Sequence, residues 1–282
     1  MEVFDKIKDV KRVLKEHKNQ GKTIGLVPTM GALHGGHMSL MDASLNENDI
    51  TVCSIFVNPI QFNNNQDLIK YPRDFERDRN MLEDRGCDIL FSPENDEIYP
   101  IIPIVKMSFG QLEKTMEGAF REGHFNGVGT VVSKLFNIIE PDRAYFGQKD
   151  LQQFLIIQQL VSDLNFNTEL RCIPIARESD GLAISSRNIR LTEDERALAH
   201  NLYKALELGK EILLLNSGIE KTKNEVFRFL AQWEQISLEY FEVVNGRTLD
   251  PIAKIDQSES VALCIAAYVG QIRLIDNMFL FS

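Results

Sequence analysis

The sequence predicts an α/β fold: a Rossmann-like parallel sheet with helices on both faces, followed by a smaller α+β C-terminal domain. Three observations predict it. Short apolar runs alternate with helix-patterned stretches through the first part of the chain, the signature of successive βαβ units. Polar and glycine-rich segments follow the apolar runs, at the strand carboxyl ends where such sheets bind ligands. After about residue 176 the alternation stops, and two helices and then a set of strands follow.

The elements run in this order. The segment MEVFDKIKDVKRVLKEHK carries charge throughout and lacks the apolar core of a signal peptide, so it reads as an amphipathic surface helix. Strands are expected at Thr23–Val27, Ile50–Val57, Asp88–Phe91, Arg143–Phe146 and Glu169–Ile175. Between them the spacing predicts helices over Ser39–Asn46, Phe75–Arg85, Gly129–Ile139 and Leu151–Leu164. In the second part, helices are expected over Leu191–Leu215 and Lys221–Gln235. Thr192 with Glu195 three residues on forms a capping box at the start of the first. Strands Leu238–Val244, Val261–Val269 and Gln271–Ile275 complete this unit. A boundary in RESDG, near Arg177, gives domains 1–176 and 177–282.

Composition narrows the partners. The net charge is −10 and the pI about 5.1, which argues against a nucleic-acid or anionic-membrane surface, since those need a basic patch. A polyanionic small ligand then needs local positive contacts. No stretch of some 18 apolar residues is present, so no membrane span is expected and a cytoplasmic location is. Cys53, Cys87, Cys172 and Cys264 form no CxxC pair. They read as buried free thiols rather than a disulfide framework or zinc site.

Chemistry concentrates at PTMGALHGGHMSL, residues 28–40. His34 and His37 stand three apart around Gly35 and Gly36, between a strand and a helix. A metal pair on a helix is usually spaced i, i+4 with a glutamate between, and no nearby Asp, Glu or Cys completes a site here. A phosphate site fits differently: glycines let N–H groups approach an anion, the helix start is positive, and imidazoles donate to phosphate oxygens. A plain strand-to-helix turn with incidental histidines remains open on spacing alone. FGQKD puts Lys149 and Asp150 at another strand-to-helix junction. ISSRN offers Ser185, Ser186 and Arg187 as a phosphate clamp. Each of these is equally a solvated turn. In NPIQF, the Gln61 amide suits a hydroxy acid, as does Gln153, one turn into the helix after GQKD, though a loop glutamine is more often solvated. Arg73, Asp74, Glu76, Arg77 and Asp78 read most simply as a charged helix face. One of these carboxylates is a candidate Mg²⁺ ligand that spacing does not select.

PTMGALHGGHMSL, SIFVNPIQF, YPRDFERD, KLFNIIEPDRAYFGQKDLQQ and RESDGLAISSRN occur in an order that resembles the pantothenate synthetase (pantoate–β-alanine ligase) family. The resemblance runs from about residue 20 to about 195 and more loosely to the end. HGGH resembles the HxGH signature of the nucleotidyltransferase superfamily; NPIQF and GQKDLQQ are much more specific. The resemblance implies ATP and Mg²⁺ as nucleotide and metal, pantoate and β-alanine as the other substrates, a lid-like second domain and a homodimer. It implies ATP contacts across Met30, Gly31, Ala32, Leu33, His34, Gly35, Gly36 and His37, across Gly147, Gln148, Lys149 and Asp150, and across Ile184, Ser185, Ser186 and Arg187, with Ala176 at the adenine. It casts His37 as proton donor with His34 on the phosphates, Gln61 at pantoate and β-alanine, and Gln153 at pantoate. Gln148 stands where the family commonly has Glu, and Ala176 where Val is usual.

The chemistry agrees. A carboxylate is a poor electrophile. Attack on the α-phosphorus of ATP converts it to an acyl adenylate, and negative charge builds where His34, His37, Lys149, Arg187 and Mg²⁺ would oppose it. An alternative within the superfamily is a nucleotidylyltransferase joining AMP to a phosphate-bearing acceptor; its acceptor site calls for extra Arg or Lys, where this sequence offers Gln. A non-catalytic nucleotide-binding regulator would not need both histidines.

Overall fold

A computed structural model describes residues 1–63 and 65–281. The chain divides into two compact units, Met1–Gly147 with Gln153–Pro174, and Gln148–Gln152 with Ile175–Ser282.

The first unit is a six-stranded, all-parallel sheet in the order β1-β4-β3-β2-β5-β6. Its strands are β1 Glu2–Phe4, β2 Ile24–Thr29, β3 Ile50–Ile55, β4 Ile89–Phe91, β5 Arg143–Gly147 and β6 Glu169–Ile173. Leaving aside the edge strand β1, this is the doubly wound order, with the reversal between β2 and β5. The longer helices are α1 Ile7–Asn19, α2 Gly35–Glu47, α4 Phe75–Arg85, α7 His124–Ile139 and α8 Leu151–Leu164. Short ones, α3 Asn65–Ile69, α5 Asn95–Ile98 and α6 Met116–Phe120, lie in the connections.

Both faces of the sheet are buried, so the strands alternate between two cores. Ile24, Leu26, Val52, Ile89, Phe91, Ala144 and Phe146 pack with residues of α1, α7 and α8. Val27, Cys53, Leu90 and Tyr145, one step out of phase, pack with Leu40 and Met41 of α2 and Leu82 of α4. That period of two, with apolar residues in both phases, is what a parallel sheet covered on both sides requires.

The second unit holds the antiparallel sheet β7-β8-β9, formed by Ile236–Asn245, Val261–Val269 and Ile272–Phe281. It is packed by α9 Glu193–Ala199, α10 Asn201–Leu214 and α11 Ile219–Leu230 around a core that includes Leu202, Leu206, Val226, Leu263 and Ile265. The capping box forms as its sequence predicts: the Thr192 side chain accepts from the Glu195 N–H, and the Glu195 carboxylate accepts from the Thr192 N–H.

Four expectations change. The first residues are not helical: Glu2–Phe4 add a strand beside β4, and the helix begins only at Ile7. The long helix expected over Leu191–Leu215 is two helices, parted at His200. The last strand extends to Phe281, well past Ile275. Cys172 is exposed, because β6 is an edge strand and alternation turns this residue outward, whereas Cys53, Cys87 and Cys264 are buried. No helix among the described residues is long and apolar enough to cross a membrane.

Candidate active site

In the first unit the site begins where β2 ends. Gly31 and Ala32 both take left-handed backbone, with φ of +79° and +51°. For alanine that conformation costs about 1–2 kcal/mol, so something must hold the turn. Asp78 of α4 does: its two carboxylate oxygens accept the N–H groups of Ala32 and Leu33, each at 2.7 Å. The residue is 1% exposed. Burial pushes its carboxyl above the usual range, and the two backbone bonds pull the other way. A Cβ on Gly31 would stand 2.9 Å from Asp78 Oδ2, so glycine is needed there for space as well as for φ. The Gly31 N–H donates to Thr29 Oγ1 at 3.1 Å, and that hydroxyl donates to the Ser54 carbonyl at 2.8 Å.

This turn delivers His34 to the N-cap of α2 in extended conformation, with no side-chain cap bond. His37, one turn on, brings its ring against that of His34, with centroids 4.0 Å apart and planes 30° apart. The N–H groups of Gly31, Ala32 and Leu33 are thus engaged within the protein. The N–H groups at the helix start, of Gly35 and Gly36, have no acceptor within the helix. Among the described residues no group of three or more His, Cys, Asp or Glu side chains is placed to hold a metal ion.

Gln61 is not a solvated loop residue. It ends a 3-10 turn, Pro59–Gln61, and is 6% exposed. Its Nε2 donates to Met30 Sδ at 3.1 Å, which links it to the loop bearing the histidines. Its Oε1 accepts from Asn58 Nδ2 at 3.0 Å, and that group also donates to the Gly127 carbonyl at 3.1 Å. Tyr99 OH donates to Asn58 Oδ1 at 2.9 Å, and burial raises the pKa of that phenol. His124 Nδ1 donates to the Gln61 carbonyl at 2.9 Å, which leaves Nε2 to accept from Arg121 at 3.2 Å. Helix α7 approaches the turn so closely that a Cβ on Gly127 would stand 2.6 Å from the Gln61 Cα. Gln153 stands half-buried in the first turn of α8. Gly147 ends β5, directly before the 3-10 turn Gln148–Asp150.

In the second unit two segments rest on β9: the turn Gln148–Asp150 and the 3-10 turn Ser186–Arg190. Lys149 is mostly buried and 3.9 Å from the Asp150 carboxylate, which is half exposed. Ser185 caps the Ser186–Arg190 turn, its Oγ accepting the Arg187 N–H at 3.3 Å. The Ile184 N–H donates to the Ala176 carbonyl at 3.0 Å, so the residue assigned to adenine and the start of the ISSR segment are bonded neighbours. Arg177 donates to Asp276 at 2.6 and 3.0 Å. Asn277 Nδ2 donates to the Gln148 and Lys149 carbonyls at 2.9 and 3.0 Å.

Sequence reasoning missed three groups here. Asp78 was read as part of a charged face. Its one signal is its place four residues before the buried Leu82, on the helix stripe that calls for an apolar residue. Asp74 in the same run caps α4, accepting from the Arg77 N–H at 3.2 Å. The Asn58–Tyr99–His124 network and the Asp276-Asn277 pair join residues tens of positions apart, and no local pattern announces them.

A family model described as pantoate-beta-alanine ligase matches residues 2–279. A pantothenate synthetase from Cytophaga hutchinsonii is 48% identical over 96% of this chain and 96% of its own length. One from Thermotoga petrophila is 46% identical over 99% of this chain and 100% of its own length. Among solved structures, a pantothenate synthetase from Thermus thermophilus superposes with a TM-score of 0.93 at 37% identity, covering 100% of both chains. A pantoate-beta-alanine ligase from Francisella tularensis, complexed with beta-gamma ATP and beta-alanine, gives 0.84 at 35% identity, covering 99% of this chain and 98% of that one. With its motifs, its doubly wound sheet and nearly its whole length in common with these proteins, the chain belongs to the pantoate–β-alanine ligase family.

Proposed function

We propose that this chain condenses pantoate with β-alanine to pantothenate, cleaving ATP to AMP and pyrophosphate by way of a pantoyl adenylate. The observation that carries the reading is local to the first unit. A stacked histidine pair opens an uncapped helix, and a buried glutamine amide is bonded to the loop that bears it. This supports a nucleotide phosphate at the helix start beside a hydroxy acid at Gln61.

In the first step a pantoate carboxylate oxygen attacks the α-phosphorus, and the bond to the bridging oxygen breaks as pyrophosphate leaves. Charge builds on the phosphates. The reading assigns His37 as proton donor and gives His34, Lys149 and Arg187 the task of opposing that charge. Met30–Leu33, Gly35 and Gly36, Gly147 with Gln148 and Asp150, and Ile184–Ser186 are assigned to ATP, with the backbone near Ala176 at the adenine. Gln61 and Gln153 hold pantoate, Gln61 reaching β-alanine as well. In the second step the neutral amine attacks the acyl carbon and AMP leaves. Residues 1–176 are assigned to binding nucleotide and pantoate, and 177–282 to covering the adenylate against water.

Mg²⁺ enters this reading as part of the MgATP substrate. Mg²⁺ is ordinarily carried by substrate phosphates with one or two carboxylates and waters, so it calls for no dedicated cluster of three or more protein ligands. A homodimer, which rests on the family resemblance, and a cytoplasmic location, which rests on the sequence composition, complete the proposal.

The test is the product set. ATP, Mg²⁺, pantoate and β-alanine incubated with the protein should yield AMP, pyrophosphate and pantothenate in equal amounts; release of ADP and phosphate instead would contradict the reading. Within that assay Gln61→Leu should impair use of pantoate far more than use of ATP. A site built to hydrogen-bond a substrate hydroxyl discriminates by about 10⁴–10⁵ when that pairing is lost outright, so a loss of about 10² or more in kcat/KM for pantoate is expected. An unchanged pantoate kcat/KM would reduce Gln61 to a structural member of its buried network.

A further inference from the structure

We propose that Asn277 is the positioning residue for Lys149: from the middle of β9 it fixes the Gln148–Asp150 turn, and with it the lysine that meets the nucleotide. The proposal rests on the phosphate role given to Lys149 above.

The turn is three residues long and has the poorer hydrogen-bond geometry of a 3-10 segment. Asn277 is 3% exposed. Both bonds from its Nδ2 go to this turn, to the carbonyls of Gln148 and Lys149 at 2.9 and 3.0 Å. Its Oδ1 accepts from Gln148 Nε2 at 3.1 Å. Three side-chain bonds thus converge on two consecutive residues. They come from a ten-residue strand paired along its length with β8, the most deeply buried strand of the second unit. Such an anchor has little freedom of its own. Lys149 is a long side chain with four rotatable bonds; fixing its backbone restricts where its ammonium group can reach.

Asp276 extends the arrangement. It accepts the Asn277 N–H at 2.8 Å and both Arg177 bonds, and Arg177 donates further to the Gly181 and Asn277 carbonyls at 3.0 and 3.2 Å. The guanidinium lies 4.5 Å over the Tyr203 ring. The same two residues of β9 therefore tie down the turn bearing Lys149 and the segment that leads into Ile184–Arg187. A merely structural asparagine would satisfy its amide wherever partners lay nearest. Here every side-chain bond goes to the one turn that presents a cation.

The test is a double-mutant cycle between Asn277→Ala and Lys149→Ala, read as KM for ATP and kcat. Asn277→Ala alone should lower kcat/KM for ATP by roughly 10- to 100-fold, since a displacement near 1 Å at a catalytic group costs about that much. It should leave the pantoate KM near the parent value. In the Lys149→Ala background it should cost little more, because the group it positions is already gone. If the two losses simply multiply, Asn277 does not act through Lys149 and the proposal falls. If Lys149→Ala itself keeps the parent ATP parameters, the phosphate reading fails first, a result distinct from multiplied losses. Should Asn277→Ala not fold, Asn277→Asp gives the same comparison: it keeps the shape, but an ionised carboxylate cannot donate to the two carbonyls. If neither variant folds, Asn277 is a folding residue and the positioning role is overturned.

Discussion

His37→Ala is expected to lower kcat by about 10²–10³, the usual cost of losing a donor aimed at developing charge. The ring sits one turn into α2, half-buried and stacked on His34 at 4.0 Å. The ring is only half-buried, so removing it should leave the unfolding midpoint near the parent's. Steady-state kinetics beside a thermal melt separate the two effects. A folded variant that turns over at the parent rate would remove His37 from the mechanism, and the HGGH segment would revert to a turn with incidental histidines.

Asp78→Ala should be nearly as damaging by another route. It touches no reacting group, yet it leaves the Ala32 and Leu33 N–H groups buried without their acceptor, at about 1–3 kcal/mol each. It also releases a left-handed pair of residues that the carboxylate holds in place. Both stability and kcat should fall, the latter by about 10² if His34 and His37 shift by near 1 Å. Asp78→Asn, which keeps one accepting oxygen, should fall between the parent and alanine. Leu82→Ala is the control: it lies one turn further along α4, is fully buried, and should cost about 2–5 kcal/mol of stability. Measured well below its melting temperature, it should keep kcat. If Asp78→Ala behaves like Leu82→Ala, with stability lost and kcat kept, the turn does not position the histidines.

The contrast between Asp78 and His37 shows which features were legible in the sequence. The doubly wound sheet was, because its strands are apolar in both phases and its loops fall at their carboxyl ends, both consequences of burial on two faces. HGGH, NPIQF and GQKD were visible because glycines and chemically rich side chains crowd into short segments. The resemblance that they carry extends to the family that the comparisons show. Asp78 was hidden because a carboxylate in a run of five charges looks solvated; only tertiary packing decides that this one faces inward. Asn277 was hidden for a simpler reason. Its partners, Gln148 and Lys149, lie 129 and 128 positions away. Strand β1 escaped because three residues, Glu2, Val3 and Phe4, are too few to carry a periodicity; pairing with β4 supplies what the local sequence lacks. The break at His200 falls at a His-Asn pair of weak helix formers, where the Asn201 amide donates to the Leu198 carbonyl.

An adenylate should form before the amine takes part. The amine has no role in the first displacement: the nucleophile toward phosphorus is the carboxylate. The groups assigned to opposing phosphate charge, His34, His37, Lys149 and Arg187, act on the nucleotide. The amine reacts only as the neutral base, so the second step should slow as pH falls below neutrality while the first need not follow. The measurement is exchange of labelled pyrophosphate into ATP with pantoate present and β-alanine absent. Exchange that depends on pantoate is expected, and Asp78→Ala and His37→Ala should reduce it together with kcat. Exchange that appears only when β-alanine is added would contradict it, because the amine would then enter before the phosphorus is attacked.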